Sequence, residues 1–203
     1  MLSTVLAAAA CLSLIAAPAA MAAPGVSSRT MADMPSGQYV IDKTHASLTA
    51  RVGHMGFSNY TFRFNGLDAT FDYDATKPTA AKVTASVDPT SIDTGMASFS
   101  SKLTGSDWLN AAKFPTIGFV STSLVLTGAT TGKMTGDLTF LGVTKPVTLD
   151  VVWNGFGAGM MPGTRTGFSA TGSIKRTDFG FATYVPVIGD QVDLLIEIEF
   201  TKK

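Results

Sequence analysis

Imidazole and guanidinium groups concentrate near the start of the chain's first long strand pattern. His45 and His54 are the two histidines of the sequence, and Arg51 lies between them with Asp42 just upstream. Imidazole serves as a base, an acid or a metal ligand near neutral pH, and guanidinium binds phosphate or carbonyl oxygens. A zinc site normally needs three or four protein ligands, and no metal-spacing motif joins these residues. For the two histidines, a structural hydrogen-bonding role is therefore favoured. Contact with the polar head group of a bound ligand is the second alternative, and metal binding or catalysis is the third.

A second charged pair, Arg176 and Asp178, lies near the C-terminus. Two positions apart on a strand, these side chains are expected to form an ion pair that fixes a strand end, with ligand binding as the alternative. The sequence has no hydrolase-type Gly-Xaa-Ser-Xaa-Gly elbow and no phosphate-binding glycine loop before a helix. We therefore expect no catalytic residue, although an enzymatic alternative would use His45 or His54 with Asp42 or Asp178.

Residues 133–153 predict an antiparallel hairpin, because apolar side chains recur there with a period of two. The turn is expected between Leu141 and Pro146. The alternating apolar residues of the two arms are Met134, Gly136, Leu138 and Phe140, then Val147, Leu149, Val151 and Trp153. A lone hairpin is not stable, so this one needs further strands to cover its apolar face.

Further alternating segments supply those strands, and they are 46–52, 60–64, 67–73, 83–87, 117–126, 168–174 and 192–200. The apolar parity switches at Gly66, which predicts a bulge or a sharp bend. Residues 97–110 have the spacing of a short helix. The glycine-rich residues 155–163 are expected to form a mobile loop that could open one end of the folded domain to a ligand. Eight or more strands with one short helix predict an all-β, antiparallel barrel.

Seven aromatic residues and one leucine on the apolar faces are candidates for the lining of an interior cavity. They are Phe62, Phe64, Phe71, Phe119, Leu138, Phe140, Trp153 and Phe168. Alternation shows which residues share a face, but it does not show whether the space between them is empty. A dry, filled core is therefore an equal alternative for each of them.

The ends and the charge of the chain narrow the choice of compartment and partner. Residues 1–22 resemble a cleaved export signal that contains the single cysteine, Cys11, with a membrane anchor as the less favoured alternative. Residues 23–37 predict a flexible tether, and 38–203 form the domain. Fifteen basic residues balance fifteen acidic ones, so the sequence has no excess of positive charge of the kind that indicates a nucleic-acid partner. The oligomeric state stays open, with a homodimer as one alternative.

Seven short motifs in order make this sequence similar to the YceI-like family from Tyr39 to about Phe200. They are Asp42-Lys-Thr-His45-Ala-Ser47, Val52-Gly-His54-Met-Gly56, Ser91-Ile-Asp93-Thr94, Phe114-Pro-Thr-Ile-Gly-Phe119-Val-Ser121, Gly136-Asp-Leu-Thr139, Gly142-Val-Thr-Lys-Pro-Val147 and Arg176-Thr-Asp178-Phe-Gly180. The resemblance covers essentially the whole domain.

The resemblance implies an eight-stranded, lipocalin-like barrel in the periplasm that holds a long polyisoprenoid or quinone-like amphiphile, without a cofactor and without catalysis. Head-group candidates are His45, Arg51, His54, Arg176 and Asp178, and transient membrane contact is expected. The family's charged stretch after Ser91-Ile-Asp93-Thr94 is replaced here by uncharged residues and one lysine, Phe99, Ser100 and Lys102. A less polar or differently headed ligand is therefore expected. The remaining alternatives are a barrel enzyme and a stress-response domain with a solid core.

Overall fold

The computed structural model describes residues 25–159 and 162–203, and the predicted export signal, residues 1–22, lies outside them. Strands make up most of the described chain, together with one short helix, α1, and several 3-10 turns. The strands are β1 Gly25–Ser28, β2 Gly37–His54, β3 Ser58–Phe64, β4 Leu67–Tyr73, β5 Lys82–Val87, β6 Ile92–Asp93, β7 Ile117–Leu126, β8 Thr131–Phe140, β9 Val143–Ala158, β10 Thr164–Lys175 and β11 Ile188–Lys202. The helix α1 is Ala97–Leu103.

Eight strands close into an antiparallel barrel. The order around the ring is β2, β4, β5, β7, β8, β9, β10 and β11, and β11 pairs back onto β2. Closure removes the free edges that an open sheet would expose. A ring of eight strands is wide enough to be filled by side chains or to hold one small ligand. The predicted barrel is confirmed.

The predicted bend at Gly66 is also confirmed. It separates β3 from β4, so that both short strands pair with the one long strand β2. The C-terminal half of β2 pairs with β3, and its N-terminal end pairs with β4. A Cβ atom on Gly66 would lie 2.9 Å from the Cβ atoms of Asp88 and Ser91. Since real Cβ atoms do not approach so closely, the bend requires glycine at this position.

The central hairpin forms as β8 and β9, but its turn is shorter than predicted. Phe140 pairs with Val143, and Leu141 and Gly142 alone reverse the chain with φ values of 50° and 77°. Two consecutive left-handed residues match the twist of a two-residue hairpin turn. Pro146 is therefore inside β9, opposite Asp137, and the expectation of a turn extending to Pro146 is wrong.

The helix and the glycine-rich loop are also shorter than expected. The helix ends at Leu103, after which Gly105 interrupts it and Leu109 donates its backbone N–H to the carbonyl of Leu103 at 3.0 Å. The loop predicted for 155–163 begins later, because β9 continues to Ala158 by pairing with β1 and β10. No helix in the described ranges is long and apolar enough to cross a membrane.

The segment 23–37 differs from a flexible tether where it is described. Gly25 pairs with Ala158 and Ser28 with Phe156 in an antiparallel ladder between β1 and β9. A 3-10 turn follows at Met31–Asp33, and Met34 is buried. Residues 25–37 thus pack against the barrel, because methionine side chains find apolar partners there.

Candidate functional site

A cavity of about 330 Å³ lies inside the barrel, within the range of known small-molecule pockets. Every strand of the closed ring contributes to its lining, because one parity of each strand faces inward. The inward residues are almost all aliphatic, aromatic or methionine side chains. Among the lining residues in the described ranges, Arg176 alone carries a charge. The cavity can therefore hold an apolar chain but offers few polar contacts.

All eight residues predicted for the lining face this cavity. Phe71 is central among them, with its ring centroid 5.6 Å from that of Phe168 and 4.9 Å from that of Phe200, both edge-to-face. The structure shows their position, and their contact with a ligand stays a prediction. Phe200 was not among the candidates, although its place in the alternating pattern of the last strand could have identified it.

Arg176 and Phe181 line one end of the cavity. Arg176 is only 5% exposed. Its guanidinium donates hydrogen bonds to the backbone carbonyls of Gly189 at 3.0 Å, Thr183 at 3.2 Å and Ile188 at 3.0 Å. Burial lowers the pKa of Arg176, and nearby Asp190 partly opposes this shift. Arg176 thus fixes residues 183–189, around the start of β11, and brings a positive charge to the cavity wall.

The expected ion pair between Arg176 and Asp178 is wrong. Residues 176–179 form a 3-10 turn rather than a strand, and the side chain of Asp178 is exposed. Arg176 instead satisfies its donors with carbonyls of a later segment. Of the two residues, Arg176 alone is positioned to meet a ligand in the cavity.

The remaining head-group candidates are not among the residues that line the cavity. Leu48 and Ala50 of β2 point into the cavity, so the alternating His45 and Arg51 point outward. Arg51 donates a hydrogen bond to Asp193 at 3.0 Å across the β2–β11 ladder. His54 has the inward parity of Ala50, but it is the exposed last residue of β2 and lies beyond the cavity lining. These positions argue against direct contact with a ligand inside the barrel.

His45 belongs to a polar cluster on the outer face. Its Nδ1 atom lies 3.0 Å from a carboxylate oxygen of Asp42, which also accepts hydrogen bonds from Arg165 and Thr44. The Arg165 guanidinium, with help from these neighbours, holds the pKa of the Asp42 carboxyl well below its usual range. Asp42, His45 and Glu199 lie close enough to suggest a metal site. However, the Arg165 guanidinium contacts both carboxylates and supplies the positive charge itself.

The uncharged substitutions around α1 take part in packing. The ring of Phe99 meets that of Tyr60 edge-to-face, with centroids 5.6 Å apart. Ser100 accepts a hydrogen bond from the backbone N–H of Thr94 at 3.0 Å, and Lys102 is exposed. This part of the chain therefore covers the barrel with apolar contacts and places no charge in the cavity lining.

Comparisons with known proteins agree with this architecture. The model of the YceI-like domain family matches residues 39–200. The protein YceI of Escherichia coli is 40% identical over 166 residues, which cover 81% of this chain and 86% of that protein. The crystal structure of a Campylobacter jejuni YceI protein superposes with a TM-score of 0.66 at 32% identity, covering 74% of this chain and 90% of the other.

A second similar structure shares the fold at low identity. It is a polyisoprenoid-binding domain from Saccharophagus degradans, described as implicated in plant cell wall breakdown. Its TM-score is 0.60 at 16% identity, and the match covers 81% of this chain and 98% of that domain. From the extent of the family match and the identity to the Escherichia coli protein, this chain belongs to the YceI-like family.

Proposed function

We propose that the protein binds one long, apolar amphiphile, a polyisoprenoid or quinone-like lipid, inside the barrel and carries it through the periplasm. The cavity carries this proposal, because it is open space lined by apolar side chains from every ring strand. A barrel with a solid core, as the stress-response alternative requires, would have no space of about 330 Å³ at its centre.

The energy of binding comes from removing apolar surface from water. Each square ångström buried contributes about 25 cal/mol, so a chain of several isoprene units binds tightly with few hydrogen bonds. The Saccharophagus degradans domain, which has the same fold, is described as binding polyisoprenoids. That description supports the same class of ligand here.

The polar head of the ligand is proposed to lie at the Arg176 end. Three of the five N–H groups of this guanidinium serve backbone carbonyls, which leaves donors for an oxygen of the ligand. A buried cation favours an acceptor oxygen, such as a hydroxyl, quinone carbonyl or phosphate, because the surrounding side chains have a low dielectric constant. The tail would then extend toward the opposite end.

A binding role fits the lining better than an enzymatic one. Arginine keeps its proton at ordinary pH and so cannot act as a general base. His45 and His54, on which the enzymatic alternative depends, lie outside the cavity.

Export to the periplasm is proposed from the signal-like residues 1–22.

A fluorescence titration tests the binding proposal. Trp153 lines the cavity, so a quinone bound there should quench its emission, whereas a quinone in solution should quench it only weakly. Delipidated protein is titrated with a prenylated quinone and with the same ring lacking its tail. We expect saturable quenching by the prenylated compound alone. Equal, non-saturating quenching by both compounds would contradict the proposal.

A further inference from the structure

We infer that Met31 and Met34 close the cavity at the end opposite Arg176 and set the length of isoprenoid tail that the protein accepts. This inference rests on the proposed function. Both methionines belong to the cavity lining, yet they precede residues 39–200, which the family model matches. The limit on tail length would therefore come from a segment outside the shared domain.

The two ends of the cavity belong to different parts of the core. Met34 packs in a cluster with Tyr39 and Trp153, near the beginning of the long strand β2. Phe181, which contacts Arg176, packs in another cluster with Phe140. Since the 18 residues of β2 run the length of the barrel, a ligand with its head at Arg176 has its tail directed toward the methionines.

Backbone pairing and side-chain hydrogen bonds hold this segment in place. Upstream, β1 pairs with the end of β9. The hydroxyl of Tyr73 donates a hydrogen bond to the backbone carbonyl of Met31 at 2.6 Å. The hydroxyl of Tyr39 donates one to the backbone carbonyl of Pro35, also at 2.6 Å. Ser36 accepts a hydrogen bond from the backbone N–H of Ala75 at 2.8 Å. Contacts to three separate strands and turns make the segment a fixed stop rather than a loose tail.

The methionine side chains themselves form the stop. Met34 is 3% exposed and packs against the surrounding aromatic rings. Met31 is half-buried beside it. Changing a methionine to alanine removes its Cγ, sulfur and methyl, so the double change makes room for about one isoprene unit.

A competition experiment measures this limit. Delipidated protein is offered prenols that increase by one isoprene unit per member, and native mass spectrometry reports which members occupy it. Each further buried unit should favour binding by at least about tenfold, until the tail reaches the stop and the gain ends. We call the chain length at which this gain ends the break. We expect the break to be one isoprene unit longer in the Met31→Ala/Met34→Ala variant and to be unchanged in Met34→Leu.

Two other methionines provide matched controls. Met134→Ala widens the cavity at its side wall and leaves Met31 and Met34 at its end in place. Met96→Ala alters a side chain that is 61% exposed. Both should keep the wild-type break. Met31→Ala alone is the milder variant, in case the double variant does not fold, and it should move occupancy toward the longer prenol at the break.

The outcomes separate the length limit from the binding function. If wild type binds prenols but the break stays unchanged in Met31→Ala and in the double variant, the methionines do not set tail length. Affinity that continues to rise for ever longer prenols in the wild type would overturn the inference too, because the tail would then leave the barrel past the exposed side chain of Leu126. If no prenol binds the wild type at any length, the proposed function fails instead.

Discussion

The guanidinium carbon of Arg176 lies 4.7 Å from the centroid of the Phe181 ring, at the edge of a cavity that is otherwise apolar. Within the described residues, no ion pair includes Arg176. A buried cation without a carboxylate is costly unless hydrogen bonds and ring contacts offset the loss of water. Arg176 thus has a structural role, because it fixes residues 183–189 around the start of β11, and it also forms a site that can bind an oxygen of a ligand.

Replacing Arg176 with methionine should therefore reduce affinity according to the head group of the ligand. A hydrogen bond to a charged donor contributes about 1.5–3 kcal/mol, so a prenol or prenylated quinone should lose at least about tenfold in Kd. An isoprenoid hydrocarbon of equal length should lose less than about twofold. The measurement is competition binding, and Arg51→Met, which removes a guanidinium on the outer face, is the control. Equal losses for both ligands would show that Arg176 does not contact the head.

Filling the cavity should abolish uptake without unfolding the barrel. Ala85 lines the cavity from β5, so Ala85→Phe places a ring in the space that the ligand needs. We expect lipid uptake to fall by more than about tenfold while urea unfolding stays cooperative, because an apolar ring in an apolar void is tolerated. Thr84→Phe puts the same ring on the exposed neighbour and should leave uptake unchanged. Normal uptake by Ala85→Phe would place the ligand elsewhere.

Gly136 keeps the cavity wall in shape, because the ring of Phe119 packs directly against it. A Cβ atom there would clash with Phe119 Cζ and would lie 2.7 Å from the carbonyl oxygen of Val120. Gly136→Ala should lower the free energy of unfolding by about 1–3 kcal/mol in a urea titration. Gly118→Ala, on the adjacent strand, meets no atom within 4 Å and should change stability by less than about 1 kcal/mol. Equal effects would contradict the packing seen at Gly136.

The outer cluster around Asp42 should make stability depend on pH. Hydrogen bonds from Arg165, then Thr44 and His45, lower the pKa of Asp42 in the folded protein. The resulting stabilisation is present above the unfolded pKa of about 3.9 and is lost as the pH falls from there through the folded value. The stability difference between wild type and Asp42→Asn should thus shrink between about pH 5 and pH 2.

Urea titrations across that pH range measure the difference. Asp68→Asn is the control, because Asp68 forms only an exposed ion pair with Lys43 at 2.8 Å, and exposed pairs contribute little. A difference between wild type and Asp42→Asn that is independent of pH would mean that the Asp42 cluster does not stabilise the folded state.

Local alternation in the sequence was sufficient to predict an antiparallel barrel and the residues on its inner face, but not whether those residues enclose a cavity. Each strand turns one parity inward, so Phe71 and Phe140 could be assigned to the inner face without knowing their partners. The bend at Gly66 could also be predicted, because a parity switch at a glycine has a local cause.

Features that depend on distant partners could not be predicted in this way. Arg176 donates hydrogen bonds to carbonyls of residues 183–189, which no spacing rule connects to it, whereas proximity along the sequence indicates Asp178 as its partner. The segment before Tyr39 shows no periodicity, and its order comes from β9 and from hydroxyls of Tyr39 and Tyr73. Tertiary contacts therefore decided both ends of the cavity, while local patterns decided its walls.

Native mass spectrometry of the protein, purified without detergent from the cells that make it, tests the central claim most directly. Binding in the barrel predicts a population heavier than the bare chain, whose extra mass is released on activation as a single isoprenoid or quinone-like lipid, and which Ala85→Phe lacks. A protein that is always empty, and stays empty after incubation with prenols and prenylated quinones, would contradict the account.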